Sequence, residues 1–384
     1  MLKQSSNSKH QVPAEESSAK VSREKPGIRI LTNLRALNQS HFPETPLTFS
    51  YVDEGDSAKQ FLARCLNSDL VMVHTDPARL MLACALKCVL PFRFKIVSVD
   101  LIVRTPRSLS GRIKTFIQKM LFKRVHRFIL YFKELRGCER LYGIGPDRTD
   151  YVPFKVNQLA EIQRRLAVEP SGDGEYVMCA GRTMRDIRTF VEAMRRVDCP
   201  GILHQQPADM MAAHGTDVWQ DELPPNLKLV IDDSFSHEVF LDFIAKARLI
   251  VIPRYKNDIG PAGIATYLVA MAMNKCVVIS EGPGVGDVLT DEAAIVPPED
   301  AVALAQQIAL LWDDHTQRRE IAARGQKYAE LVGGDDRLYS DIVRTSVKSF
   351  VEAGFAGGRQ DETAVRQTLP MAAAIGVRQT SEDV

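Results

Sequence analysis

Arg182 and Arg185 stand just past a short apolar run (176–180) and just before a helix pattern that begins near Asp186. Two guanidinium groups at the end of a strand suit a diphosphate, whose oxygens they can hold with paired N–H bonds. Asp186 is open to a structural role as well, capping the helix and pairing with an arginine. A second candidate anion site lies in 251–273, VIPRYKNDIGPAGIATYLVAMAM. There an apolar run ends in a loop broken by glycine and proline, and Ile264, Leu268 and Met271 then recur at helical spacing. Pro261 suits a first helical turn, where its missing N–H would have no partner anyway. Small residues around Gly263 and Ile264 leave the first N–H groups uncovered, and Thr266 adds a hydroxyl one turn in. Free N–H groups and the helix dipole both attract phosphate. The same residues also fit a tight strand-to-helix turn chosen for packing, with Thr266 bonded to its own backbone. Both readings stay open at this level.

Positioning such groups requires strands that end where they sit, and the chain supplies them. Short apolar runs at 28–32, 47–52, 70–74, 94–99, 128–132 and 151–154 alternate with helical stretches at 58–66, 77–89 and 109–125. After a charged, helix-like segment and the linker PSGDG, alternation resumes. Strands are expected at 176–180, 202–205, 227–231, 249–252, 276–279 and 294–296, and helices at 187–197, 237–246, 300–313, 317–331 and 337–353. This pattern predicts an α/β protein of two Rossmann-like, doubly wound domains facing across a cleft, with ligands at the carboxyl ends of the strands. The expected divisions are a disordered tail (1–26), a first domain (27–155), a linker (156–174), a second domain (175–332), a further helix (333–356) and a mobile tail (357–384).

With 384 residues there is room for two such domains, and 45% hydrophobic with 25% charged residues is ordinary for a globular protein. A net charge of +1 means that any electrostatic preference must be local. Seven cysteines without a C-x-x-C pair fit reduced, packed thiols rather than disulfides or a metal site. The N-terminus lacks the apolar core of a secretory signal, and the longest apolar stretch (80–92) is too short to span a bilayer. The expected location is cytoplasmic, or peripheral on the inner face of the plasma membrane. The motif GPGVG (282–286) lacks the dinucleotide spacing and fits a glycine-permitted turn near the candidate anion site.

At this point the second half resembles the donor domain of GT-B glycosyltransferases, nearest the family 4 (group 1) type. Gly181-Arg182, Arg185 and TFVEA are similar to that family's "GR…K…L-I-E-A" segment, with Arg185 where a Lys usually stands. AMAMNKCVVISEGPGVGDVL and IVPPEDAVALAQQIALL resemble its next two segments, and YVPFKVN sits where the family enters its interdomain linker. The resemblance implies transfer of a sugar from a nucleotide-diphosphate donor to an acceptor hydroxyl, with retention. Arg182, Arg185 and the helix start at Gly263, Ile264 and Thr266 would neutralise the leaving diphosphate. It implies no metal and no cofactor beyond the nucleotide-sugar substrate, and the acid pairs at 232–233, 313–314 and 335–336 fit loop and helix-start positions. Acceptors of such enzymes are glycans or lipid-linked sugars.

One departure bears on the chemistry. The Glu pair common in these enzymes falls here on Pro261 and Val269, leaving Asn257 or Asp258 in the preceding loop to replace the missing contact. An inactive GT-B relative serving as a binding or scaffold subunit is therefore the rival reading, with a sugar-nucleotide epimerase a further one. In the first half, His74 and Asp100 end strands and are best placed to act on the acceptor, although taken singly each suits a capping or core role better. The segment 104–140 carries eleven Lys or Arg against Glu134 and Glu139, with Ile113, Phe116, Ile117, Met120 and Leu121 between them at helical spacing. It fits a helix lying on an anionic membrane surface, or a solvated face packed on the sheet. Nucleic acid is not expected, because the patch lacks stacking aromatics and the whole chain is near neutral.

Overall fold

The computed structural model describes residues 27–352 apart from 54, 92, 93, 104, 107, 170, 171, 218, 220, 235, 257 and 258. The expected tails at 1–26 and 357–384 lie outside the described residues.

The first domain is a parallel sheet of β1 (Ile28–Thr32), β2 (Leu47–Tyr51), β3 (Leu70–His74), β4 (Lys95–Val99), β5 (Arg127–Leu130) and β6 (Thr149–Tyr151). Helices α1 (Ala58–Leu66), α2 (Pro77–Val89), α3 (Leu109–Phe122) and α4 (Arg136–Tyr142) connect its strands. The spatial order β2-β1-β3-β4-β5-β6 reverses direction between β1 and β3. Central strands are apolar along their whole length (Leu70, Val71, Met72 and Val73 are all buried), as a sheet covered on both faces demands. Ser57, Asp76 and Ser108 cap α1, α2 and α3 by accepting an N–H three residues on. The short helix α4 is not predicted from the sequence: it has no side-chain cap, and seven residues are too few for a periodic signal.

The helix α5 (Leu159–Val168) leads to the second sheet, built from β7 (Tyr176–Cys179), β8 (Gly201–Gln205), β9 (Leu227–Ile231), β10 (Ala247–Ile252), β11 (Cys276–Ser280) and β12 (Ala294–Val296). Its order, β12-β11-β10-β7-β8-β9, is again wholly parallel and reverses between β7 and β10. The helices α6 (Ile187–Met194), α7 (Ala208–Ala213), α8 (His237–Lys246), α9 (Ile264–Ala272), α10 (Ala301–Asp313) and α11 (His315–Val332) cover it. Then α12 (Asp335–Glu352) returns to the first sheet, burying Ile342, Val343 and Phe350 in one cluster with Val97 and Ile129. The His126 ring bonds the Ser349 carbonyl across that seam at 2.9 Å.

The two domains also meet at the carboxyl ends of their sheets. Asp287, just after β11, accepts the backbone N–H groups of Lys133 and Glu134, just after β5, at 2.6 and 2.7 Å. Ile259, from the loop after β10, is 1% exposed and packs within the core of the first domain, where its carbonyl accepts the Cys138 thiol at 2.9 Å. The strand ends of both sheets therefore face one cleft. Asp287→Ala strips two charge-assisted bonds from this clasp, and should lower stability in urea denaturation by about 1–3 kcal/mol. An unchanged midpoint would show that the clasp carries no weight.

Candidate functional site

The most unusual environment lies where the second sheet reverses, between the ends of β7 and β10. The loops leaving these strands pair with each other: Asp186 N–H donates to Pro253, and Tyr255 N–H to Met184. That pairing carries Arg185 and Arg254 inward, each only 1% exposed. Among the described residues neither makes an ion pair. Arg185 donates to the carbonyls of Ala180 (2.7 Å) and Thr183 (2.6 Å), and to the Thr266 hydroxyl on α9 at 3.1 Å. Arg254 donates through Nη2 to the Pro283 carbonyl at 3.3 Å, while its Nε and Nη1 are buried without a partner. Burial pulls both guanidiniums down to about 10; at Arg185 Cys179 opposes the fall and the charge of Arg254 adds to it, while at Arg254 Tyr267, Asp287 and Glu281 oppose it.

Two glycines make the niche. At Gly181, φ is +90°, and a Cβ there would come within 2.1 Å of Arg185 Nη2 and 2.8 Å of Thr266 Oγ1. Only glycine lets that loop lie against the guanidinium. At Gly263, φ is +94°, and no side chain caps α9. Among the described residues, the first N–H groups of α9 thus have no side-chain cap, beside two buried cations. Burying charge without a counter-ion costs several kcal/mol per group, so the arrangement calls for an anion. A phosphate group supplies both the charge and the acceptor oxygens.

Gly263, Ile264, Thr266 and Arg185 come together, and the Thr266 hydroxyl bonds Arg185 rather than its own helix. Arg182 does not join them: it is exposed and donates to Gln206 at 3.0 Å. Its place in the niche is taken by Arg254, which sequence reasoning does not single out, although a cation directly after the buried run of β10 is the signal. Asp186 is a cap, accepting the Thr189 N–H and hydroxyl. Pro261 stands before the helix instead of in its first turn, because the left-handed Gly263 sets the start at Ile264. Val269, at the family's Glu position, is buried in the core. Asn257 and Asp258 lie outside the described residues. The GPGVG turn does border the niche, through Pro283 and the Tyr267 hydroxyl bonded to Gly284.

Across the cleft, His74 ends β3 at the other reversal point, between β1 and β3. Asn33 fixes it by donating to its carbonyl (2.7 Å) and accepting its N–H (2.8 Å). Asp100 follows β4 in a left-handed conformation, φ +50°. Burial pushes its carboxyl up to about 6, and burial followed by the charge of Lys155 pulls the His74 imidazole down to about 4. Lys155 is itself held by an ion pair with Asp335 and lies 5.5 Å over the Tyr339 ring. The Tyr131 hydroxyl is also buried there without a partner, a donor that the sequence gives no reason to notice.

No protein-family model matches the chain, and no curated protein does. Solved structures do match. HepE from Anabaena, in a crystal structure with UDP-glucose, is 13% identical, with a TM-score of 0.60 over 84% of this chain and 100% of that one. The chain has the GT-B fold. Sucrose-phosphate synthase from Thermosynechococcus elongatus (16% identity, TM-score 0.55, 79% of this chain and 81% of that one) shares it. So does trehalose 6-phosphate synthase from Burkholderia multivorans (14%, 0.57, 79% and 76%). In GT-B terms the arginine niche lies in the C-terminal domain, and His74 and Asp100 in the N-terminal one.

The two cleft residues make opposite contributions to stability. Between about pH 4 and 6 the folded chain holds a proton on Asp100 that the unfolded chain has lost, so this term falls as pH rises. Between about pH 4 and 6.5 the unfolded chain holds a proton that folded His74 lacks, so that term rises with pH. Asp100→Asn keeps the left-handed backbone accessible and deletes the falling term. Its melting temperature should climb more steeply from pH 4 to about 6 than that of the parent. Parallel profiles would contradict the burial assigned to Asp100.

Proposed function

We propose that this GT-B chain is a glycosyltransferase, moving a sugar from a nucleotide-diphosphate donor to an acceptor hydroxyl in polysaccharide, glycolipid or cell-envelope glycan assembly. The observation that supports it most is the pair of buried guanidiniums, without an ion-pair partner among the described residues, beside the uncapped start of α9. As the glycosidic bond to the donor breaks, negative charge grows on the departing diphosphate. Arg254, with two donors that lack a partner, and the N–H groups at Gly263 and Ile264 are the groups proposed to receive it. Thr266 and Gly181 hold Arg185 as the second cation. Two fixed cations do the work for which other transferases use a metal ion, so the reaction is proposed to be metal-independent, and retention is proposed on the family resemblance.

Asp100 is the proposed acceptor-side group. With its carboxyl pushed up to about 6, it is mostly ionised at neutral pH yet basic enough to take a hydroxyl proton. His74, pulled down to about 4, is neutral there and available as a hydrogen-bond partner. Arg182, Asn257 and Asp258 are proposed to contact the rest of the donor. Because HepE is seen with UDP and UDP-glucose, UDP-sugars are the first donors to try.

A second reading has one observation behind it. Val269 fills with core packing the position where the family's Glu stands, which favours a relative that binds a nucleotide-sugar or a partner without turnover. Release of nucleoside diphosphate from a panel of nucleotide-sugars, with and without glycan acceptors, separates the two. Turnover that falls by about 10²–10³ in Arg254→Met, with the fold intact, is expected. Donor binding without turnover, or no stabilisation of the folded chain by any nucleotide, would overturn the enzyme reading and favour the scaffold.

A further inference from the structure

Helix α3 is folded with its faces reversed. Thr115 and Gln118 point inward at 8% and 6% exposure, while Leu109, Ile113, Phe116, Ile117 and Met120 are 75%, 56%, 66%, 45% and 50% exposed. An ordinary surface helix buries its apolar stripe and shows its polar one. Here the spacing from Leu109 to Met120 makes one continuous outward stripe along the helix, and scattered exposed hydrophobics would not do that. Phe122, packed with Phe128 and Tyr142, fixes the rotation of the helix, so the stripe cannot simply turn inward.

The charges around it are of one sign. Between Leu109 and Val125 there are five cations and no acid. Arg112, Lys114, Lys123 and Arg124 are exposed, whereas Lys119 is tied to the Arg140 carbonyl at 3.0 Å. A protein partner would need acids placed to match; a sheet of anionic headgroups over an apolar layer matches both features at once. With 14 residues α3 is too short to cross a bilayer but suited to lying in its interface. Among the described residues no helix is long and apolar enough to span one.

We infer that α3 docks this protein onto an anionic lipid surface, with Leu109, Ile113, Phe116, Ile117 and Met120 inserted among the acyl chains and the flanking cations on the headgroups. The position of α3 gives the docking a use. It follows β4 directly, and Ile102, two residues past Asp100, is itself 55% exposed. Exposed apolar side chains thus stand both two residues past Asp100 and along the helix that follows, which suits an acceptor that stays anchored in the membrane. That last step rests on the glycosyl-transfer reading; the docking does not.

Vesicle sedimentation of the full chain tests it. Binding to phosphatidylcholine vesicles containing phosphatidylglycerol, but not to phosphatidylcholine alone, is expected. Phe116→Ser combined with Ile113→Ser, and separately Arg112→Glu combined with Lys114→Glu, should each weaken it by about tenfold or more. Because these side chains are exposed, melting temperature and any stabilisation by UDP should stay unchanged, so failure of docking and failure of donor binding are seen separately. Absence of binding, equal binding to neutral vesicles, or sedimentation that appears only when residues 353–384 are removed would overturn the inference. So would a fall in solution mass from dimer to monomer in the serine variant, which would assign the stripe to a second copy of the chain.

Discussion

Two positive charges held out of water, with no ion-pair partner among the described residues, set the terms for the rest of the second domain. Arg185 and Arg254 are as buried as the central strands, and the hydrogen bonds they make go to neutral carbonyls and one hydroxyl. Such bonds satisfy geometry but are not ion pairs, and among the described carboxylates only Asp287 and Glu281 act on the charge of Arg254, from further off. Folding tolerates this because the surrounding sheet is strongly over-determined: the centres of β7, β10 and β11 (Val177, Met178, Leu249–Ile252, Val277–Ile279) are apolar and fully buried. The reversal of strand order then leaves a crevice between β7 and β10 that neither crossover fills, and the cations sit in it. A site that is costly when empty is one that gains most when an anion enters.

The first domain repeats the geometry with different chemistry. Its own reversal point holds His74, clamped by Asn33, with Asp100 one strand further on. Here burial, not charge, is the main force, and it moves the two groups in opposite directions, keeping the imidazole neutral and making the carboxyl more basic. The clasp through Asp287 and the insertion of Ile259 bring the two crevices onto one cleft. Cationic wall and basic wall are thus built by the same topology on two sheets.

The fold was legible because its signals are local and redundant. Strands such as 70–74 and 227–231, and helices such as 58–66 and 237–246, occur where apolar runs and periodicity put them. Short elements were not: α4 and α7 have seven and six residues, too few for a face to show. The site was half legible. Gly263, Thr266 and Arg185 could be found because strand, small-residue loop and helix are consecutive in sequence. Arg254 has only its place after the buried run of β10 as a signal, since its burial depends on a pairing between loops some seventy residues apart, and Arg182 and Arg185 are equivalent in sequence until the fold turns one in and the other out. The reversed face of α3 was invisible for a related reason: periodicity reports that a helix has two faces, but packing decides which one points outward.

Calorimetric titration of the chain with UDP, UMP and uridine, repeated for adenine and guanine nucleotides, isolates what the arginine niche contributes. If the buried guanidiniums exist to receive a diphosphate, affinity should drop by about tenfold or more when the second phosphate is removed and again when the first is. A nucleoside that binds as tightly as its diphosphate would mean that the two cations serve the fold alone.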